Sequence, residues 1–134
     1  MAHHEAGHAL VAYLLGAEVA VACVRPDGSG EVTFAAPMVD ADRALVDLAG
    51  PLAHNIHLCP NGGTITYEPG RGTSDFESYA AMSKSLACSD DLAVAAVTRV
   101  LESFWPEVSA IAAALLSKGA LTGVEVAHIV EERA

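Results

Sequence analysis

The spacing of apolar residues predicts a helix followed by a β-hairpin at the start of the chain. Residues 2–15 are apolar over most of a helical surface, and Gly16 is a typical helix terminator. Residues 18–24 alternate and are rich in valine, as a half-buried strand would be. A turn-forming segment at residues 26–30 then allows residues 31–35 to return as a second strand.

The hairpin should be followed by a long helix. Asp40 or Asp42 can cap a helix that runs towards His57. Gly50 and Pro51 lie in its middle, and a proline inside a helix removes a hydrogen bond and crowds the preceding turn. We therefore expect this helix to be bent or divided at that point.

A long loop and three capped helices are predicted for the second half of the chain. Residues 59–73 are rich in glycine and proline, and so long a loop in a compact domain is often functional. Polar residues that can cap the later helices are Ser74 with Glu77, Ser89 with Asp90 and Asp91, and Thr122 with Glu125. The first of these helices should end near residue 87, Pro106 should interrupt or restart the second, and Gly119 should end it. The expected fold class is therefore mainly α (α+β), with one small hairpin or sheet.

Composition favours a single packed domain over residues 1–134 and argues against two classes of partner. Apolar residues make up 52% of the 134 residues, which is enough for a core. The formal net charge is −10, from 17 acidic and 7 basic residues, and the basic residues form no cluster. Binding to nucleic acid or to an anionic membrane requires clustered lysine and arginine. Neither is therefore an expected partner.

The cysteines and the apolar segments bear on the cellular compartment. Cys23, Cys59 and Cys88 are few, odd in number and far apart, which argues against a disulfide framework and for a reducing compartment. We expect all three to be buried as small apolar residues. Residues 9–24 are too short to span a bilayer, and they lack the basic segment of a signal peptide. The expected location is therefore the cytoplasm, with no membrane segment.

The first helix carries a candidate metal motif, His4-Glu5-Ala6-Gly7-His8. Residues four apart lie on one face of a helix, so two imidazoles can converge on one ion at ~2.0–2.1 Å. Glu5 lies beside that face and can accept a proton from water that the metal activates. A chance match is the alternative, but polar side chains on an otherwise apolar helix need partners to offset their desolvation. The motif therefore predicts a zinc site of the metallopeptidase type.

Residues 4–15, which begin with this motif, closely resemble the active-site helix of the FtsH-type ATP-dependent zinc metalloproteases. The similarity extends over nearly the whole chain. Residues 19–34 resemble the family's strand pair beside the active site, and residues 45–50 resemble its Leu-Ala-Gly helix. Residues 72–76 resemble the segment that supplies the family's third zinc ligand, and residues 104–130 resemble its terminal helices.

The resemblance implies a mainly helical peptidase domain that binds one zinc ion. It makes His4 and His8 ligands, Glu5 the catalytic base, and Asp75 the third ligand. A carboxylate in the first turn of a helix is also favoured by the helix dipole, whether or not it binds a metal. His54 stands where the family has a glutamate, so His54 and His57 are rival candidates for the third position.

The chain also differs from the family in what it lacks. It contains no GxxxxGK[ST] phosphate-binding motif, so the ATPase half is absent, and so is the membrane anchor. His4 follows Met1 closely, which would place it in a frayed first helical turn.

Two functions of different classes are consistent with these features. The leading hypothesis is a zinc-dependent endopeptidase that hydrolyses flexible or unfolded protein segments, which could pair with residues 31–35 as an edge strand. Its expected partners are a protein or peptide substrate and either further copies of the chain or a separate ATPase. The alternative is a non-catalytic zinc-binding interaction module derived from the peptidase fold. A different zinc hydrolase, such as a repressor-cleaving protease, fits the later segments less well.

Overall fold

The computed structural model describes residues 1–59 and 74–133. This part of the chain contains six helices and one small antiparallel sheet, which packs mainly against the first and the last two helices. The elements are α1 (Ala2–Leu14), β1 (Val19–Val24), β2 (Gly30–Phe34), α2 (Asp40–Leu58), α3 (Ser74–Met82), a 3-10 turn (Ser83–Ser85), α4 (Asp90–Ser103), α5 (Trp105–Lys118), β3 (Ala120–Thr122) and α6 (Gly123–Arg133). The mainly α fold with a small sheet is confirmed.

The apolar helix α1 is the centre of the core. Most of its residues are buried, and Leu10 is completely inaccessible to solvent. Burying a side chain of that size stabilises the fold by about 1.5–3 kcal/mol. Gly7 lets α1 approach α2 closely, since a Cβ at Gly7 would lie 2.5 Å from the carbonyl oxygen of Ala49 and 2.6 Å from Cβ of Ala53. Small residues on both helices therefore bring the histidines of α1 against α2.

The sheet has the strand order β2-β1-β3. β1 and β2 form the predicted hairpin, in which Val24 pairs with Gly30 and Val19 with Phe34. The third strand was not predicted: Leu121 at its centre pairs with Ala22 of β1, nearly a hundred residues earlier in the chain. Among the residues that the structure describes, β2 is consequently an edge strand of this sheet.

A bend or a division was predicted for α2 at Gly50 and Pro51, and the helix is not divided there. A single helix extends through Gly50 and Pro51, although a proline in a helix interior costs about 3 kcal/mol. Its residues from Ala44 to Ala53 are mostly buried, largely against α1, and this packing offsets the cost. The N-cap is Val39 rather than an aspartate, so Asp40 and Asp42 lie in the first turn.

The predicted ends of the later helices are largely confirmed. The Ser89 hydroxyl caps α4 by accepting a hydrogen bond from the backbone N–H of Leu92. Thr122 and Glu125 form a reciprocal capping box at 3.1 and 3.2 Å. Pro106 lies in the first turn of α5, and Gly119 ends that helix with φ of 82°. The α3 helix, in contrast, ends at Met82 and continues only as a 3-10 turn.

Two further predictions concern cysteines and the loop. All three cysteines are free, as expected, but Cys59 and Cys88 are exposed and Cys23 is half-buried, so the prediction that all are buried was wrong. The predicted long loop lies almost entirely outside the described residues. No single helix in the described ranges has both the length and the apolar character needed to cross a bilayer; α4 and α5 would meet that requirement only together, as a span bent by 76°.

Candidate metal centre

Helix α1 places His4 and His8 on the same face, one turn apart. Their rings meet edge to face, with centroids 4.8 Å apart and ring planes at 80°. The two Nε2 atoms are 3.1 Å apart. The first turn of α1 is formed, because the N–H of Glu5 donates to the carbonyl of Met1, and the His4 side chain is only 12% exposed. His4 therefore lies in a hydrogen-bonded turn and is largely shielded from solvent.

Asp75, the second residue of α3, meets these histidines from a distant part of the sequence. Its Oδ2 lies 2.7 Å from His4 Nε2 and 3.3 Å from His8 Nε2. In tetrahedral coordination at ~2.0–2.1 Å, neighbouring donor atoms lie about 3.3 Å apart. The donors need to separate by at most about 0.6 Å, between His4 and Asp75, to fit such an ion. They form a group that could hold a metal ion, and no other such group occurs among the described residues.

The backbone of α2 orients His8 as a metal ligand requires. The Nδ1–H of His8 donates to the carbonyl oxygen of Val46 over 2.6 Å. In a neutral imidazole this leaves the Nε2 lone pair free and directed towards His4 and Asp75. Metal-bound histidines usually donate their other nitrogen to a carbonyl or carboxylate in this way.

Gly50 gives the ligand nitrogens room on the α2 side. A Cβ at this position would lie 2.3 Å from His8 Nε2 and 2.8 Å from His4 Nε2. A side chain at Gly50 would have to displace these imidazoles, so the glycine lets α2 pass close to the ligand nitrogens. The donor chemistry and this space together suit a small cation held by two imidazoles and one carboxylate.

Glu5 lies beside the ligands in a buried position. Its carboxylate oxygen is 3.9 Å from His4 Nε2, and the residue is 3% exposed. Gly30, at the start of β2, packs against it, since a Cβ there would lie 2.8 Å from Cγ of Glu5. Burial raises the pKa of Glu5, and the nearby His8 and His4 only partly oppose this effect. A carboxylate with a raised pKa is a better proton acceptor.

Asp75 and His8 stabilise each other's charged forms. Burial would raise the pKa of Asp75, but hydrogen bonds from His4 and His8 outweigh it and lower that pKa well below its usual range. Burial likewise disfavours the charged form of His8, yet the hydrogen bond to Asp75 and its negative charge raise the His8 pKa. The short contacts therefore join an ionised carboxylate to two imidazoles, an arrangement that a shared cation can stabilise.

A cavity of about 450 Å³ opens beside the donor atoms. One wall is the edge strand β2, including Gly30, Val32 and Phe34. Helix α2 also contributes to the lining, through Arg43, Val46 and Asp47. A peptide segment could therefore lie between the strand and the helix and reach the donor atoms.

The rival ligands His54 and His57 are not part of the group formed by His4, His8 and Asp75. His57 instead stacks on His3, with ring centroids 3.6 Å apart and planes 9° apart. The Nδ1 atom of His54 is buried and has no hydrogen-bond partner among the described residues. The described geometry thus favours Asp75 for the third position.

Several residues that shape the site were missed by the sequence analysis. Gly50 was noted as a helix breaker and Gly30 as part of a turn, and both lie in segments that resemble the family, but neither was expected to make room for a site residue. The Arg43–Asp47 ion pair, with Nε and Oδ1 3.0 Å apart, was not considered. Its spacing of four residues on a predicted helix was the available signal. The close approaches at the two glycines depend on contacts between elements, which local patterns do not contain.

Comparisons of the sequence with protein-family models and with curated proteins found no match. The resemblance to the FtsH-type proteases, which rests on the motif and the further similar segments, therefore stays a prediction.

Proposed function

We propose that this chain is a zinc-dependent endopeptidase domain. The observation that carries the proposal is the convergence of His4 Nε2, His8 Nε2 and Asp75 Oδ2, with the buried carboxylate of Glu5 beside them. Three protein ligands leave one coordination position open, which distinguishes catalytic zinc sites from structural ones. Structural sites usually have four protein ligands and no adjacent base.

The ion that we propose for this donor set is zinc, because a buried glutamate lies beside it as a candidate base for hydrolysis. Two imidazole nitrogens with one carboxylate oxygen form a common ligand set of hydrolytic zinc sites, whereas calcium and magnesium prefer oxygen ligands. When bound, zinc would polarise the substrate carbonyl and make water nucleophilic near neutral pH.

The chain's own residues would position and deprotonate the reactants. Glu5 would accept the proton from the attacking water, since it is buried and its pKa is raised. The Val46 carbonyl would hold His8 in the tautomer that leaves Nε2 free. The edge of β2 would pair with the backbone of an extended substrate and lay it along the cavity.

We further propose that the substrates are flexible or unfolded protein segments. The cavity is bounded by a strand edge, which recognises extended backbone rather than a folded surface. A separate ATPase could supply such segments by unfolding proteins, or the substrates could be unfolded already. The domain could also associate with further copies of the chain. Three free cysteines, two of them exposed, suit a reducing compartment such as the cytoplasm.

The test is a joint measurement of metal content and hydrolysis on the same preparation. The purified chain, loaded with zinc, is assayed with fluorescent casein, and the Glu5→Gln variant is the matched control. The proposal expects hydrolysis that requires zinc and Glu5. Stoichiometric zinc without any hydrolysis would contradict it and would favour the non-catalytic zinc-binding module.

A further inference from the structure

Arg43 lines the metal cavity, which is the cavity beside His4, His8 and Asp75, and two contacts hold its side chain there. Its Nε donates to Oδ1 of Asp47 over 3.0 Å, and the Asp47 side chain is only 3% exposed. Its guanidinium carbon lies 5.7 Å from the centre of the Phe34 ring on β2. The Arg43 side chain is nevertheless 43% exposed. The guanidinium is therefore fixed in orientation while still open to solvent.

A second cavity of about 450 Å³ adjoins the metal cavity along β2. It is lined by residues 32–38, most of them apolar, and by Arg43. Val32, Phe34 and Arg43 line both cavities. An extended segment that pairs with β2 and reaches the zinc ligands would therefore continue past Arg43 into the second cavity.

Arg43 keeps hydrogen-bond donors free at the junction, the place where the two cavities meet. In the described part of the chain, its one hydrogen-bond acceptor is Asp47, which occupies Nε and leaves both Nη groups available. A guanidinium edge of this kind matches a carboxylate, to which it can donate two parallel bonds.

The other charged groups on the walls have partners of their own or lie away from the second cavity. Asp75 contacts His4 and His8, and Glu31 is paired with Arg25. Glu5 lies beside His4, and both Glu5 and Met1, which carries the terminal amino group, line the first cavity but not the second. No other arginine or lysine side chain lines either cavity within the described residues. A carboxylate that enters the junction would therefore meet Arg43.

We propose that Arg43 binds a carboxylate of the substrate where the two cavities meet, so that the domain selects peptides with an acidic group beside the bond that is cut. The carboxylate is either an aspartate or glutamate side chain or the C-terminus of the peptide. This inference rests on the proposed peptidase function. If Arg43 instead served only as a partner of Asp47, its substitution would change stability and leave peptide preference unaltered.

The experiment measures binding, so that it does not depend on hydrolysis. The probes are fluorescein-labelled peptides of alanine, valine and threonine, each with one glutamate at a successive position, and matching glutamine peptides. Each is made with a free or an amidated C-terminus. They are titrated with the zinc-loaded Glu5→Gln chain, and binding is read by fluorescence anisotropy. We expect the best glutamate or free-acid peptide to bind about tenfold more tightly than its neutral match, as a charge-assisted pair would allow.

Variants at position 43 then test the residue itself. Arg43→Gln, made in the Glu5→Gln chain, should abolish the preference, and Arg43→Lys should keep only part of it because the planar fork is lost. Arg99→Gln, at an exposed site on α4, removes the same charge at a distance and should retain it. Because Arg43→Gln leaves a buried carboxylate without its partner, the Arg43→Gln/Asp47→Asn double variant, checked by thermal melting, serves if the single variant is unfolded.

The outcomes separate this inference from the function on which it rests. Preference for an internal glutamate identifies a side chain as the ligand, and preference for the free acid alone identifies the C-terminus. Equal binding of acidic and neutral peptides, no peptide binding at all, or a preference that persists without Arg43 would overturn the inference. An Arg43-dependent preference in a chain that hydrolyses nothing would uphold the inference and overturn only the peptidase function.

Discussion

His4 and His8 meet edge to face, with ring planes at 80°, whereas His3 and His57 lie stacked with planes 9° apart. The lone pair of an imidazole nitrogen lies in the ring plane. Nitrogens of crossed rings can therefore point at one centre, and the Nε2 atoms of His4 and His8 are 3.1 Å apart with Asp75 beside both. Nitrogens of parallel rings point in parallel planes and do not converge. His3 and His4 are neighbours on α1, yet of the two only His4 belongs to a group whose nitrogen atoms can bind one metal ion.

The stacked pair belongs to the packing of α1 against its neighbours. His3 also stacks on Trp105 of α5, at 5.7 Å between ring centroids. Burial lowers the pKa of His3, and the neighbouring His57 lowers it further. A neutral ring that packs between two others contributes apolar contact area, so we assign it a structural role.

The largest expected effect comes from substituting one member of each histidine group. His8→Ala should weaken zinc binding by more than about 100-fold, since loss of even an indirect partner costs 10–100-fold. His57→Ala should leave zinc affinity unchanged and lower the melting temperature instead. Competition with a chromophoric chelator measures the affinities. Equal losses in both variants would show that the stacked group also contributes to the metal site.

Glu5→Gln should separate hydrolysis from metal binding. The amide keeps the shape of the side chain but cannot accept a proton, so casein hydrolysis should fall by roughly 10²–10⁴-fold. Zinc stoichiometry should be unchanged. An active Glu5→Gln enzyme would mean that another group is the base.

Smaller effects are expected where a glycine makes room for one of these side chains. Gly50→Ala would place a Cβ against the Nε2 atoms of His4 and His8, so zinc affinity should fall about 10–100-fold. Gly30→Ala would press on Glu5 instead, so hydrolysis should fall while zinc affinity is retained. Measuring both quantities for both variants checks this pairing. Loss of zinc in Gly30→Ala would contradict it.

The sequence predicted what depends on neighbours in the chain. Local patterns identified α1, the β1–β2 hairpin and the caps at Ser89 and Thr122. The strand β3 was missed because its three residues become a strand only by pairing with β1. Pro51 does not divide α2, because the packing of the helix offsets the local cost of a proline.

For the candidate site too, the sequence predicted local features and missed those that depend on packing between elements. The spacing of His4 and His8 predicted that they share a face, because four residues make about one helical turn. Asp75 was placed by family resemblance alone, and its contact with both histidines arises from the packing of α3 against α2. Gly50 and Arg43 required the positions of α1 and β2 relative to α2, which no local pattern specifies.

The central claim is that His4, His8 and Asp75 bind zinc, and the most direct test is zinc titration of three chains under identical conditions. The unaltered chain should bind about one zinc ion and melt at a lower temperature after chelation, because binding to the folded state stabilises it. Asp75→Asn should bind zinc much more weakly, and His54→Ala should bind it as the unaltered chain does. A folded chain that never takes up zinc would contradict the account, and so would an Asp75→Asn variant that retains full affinity while His54→Ala loses it.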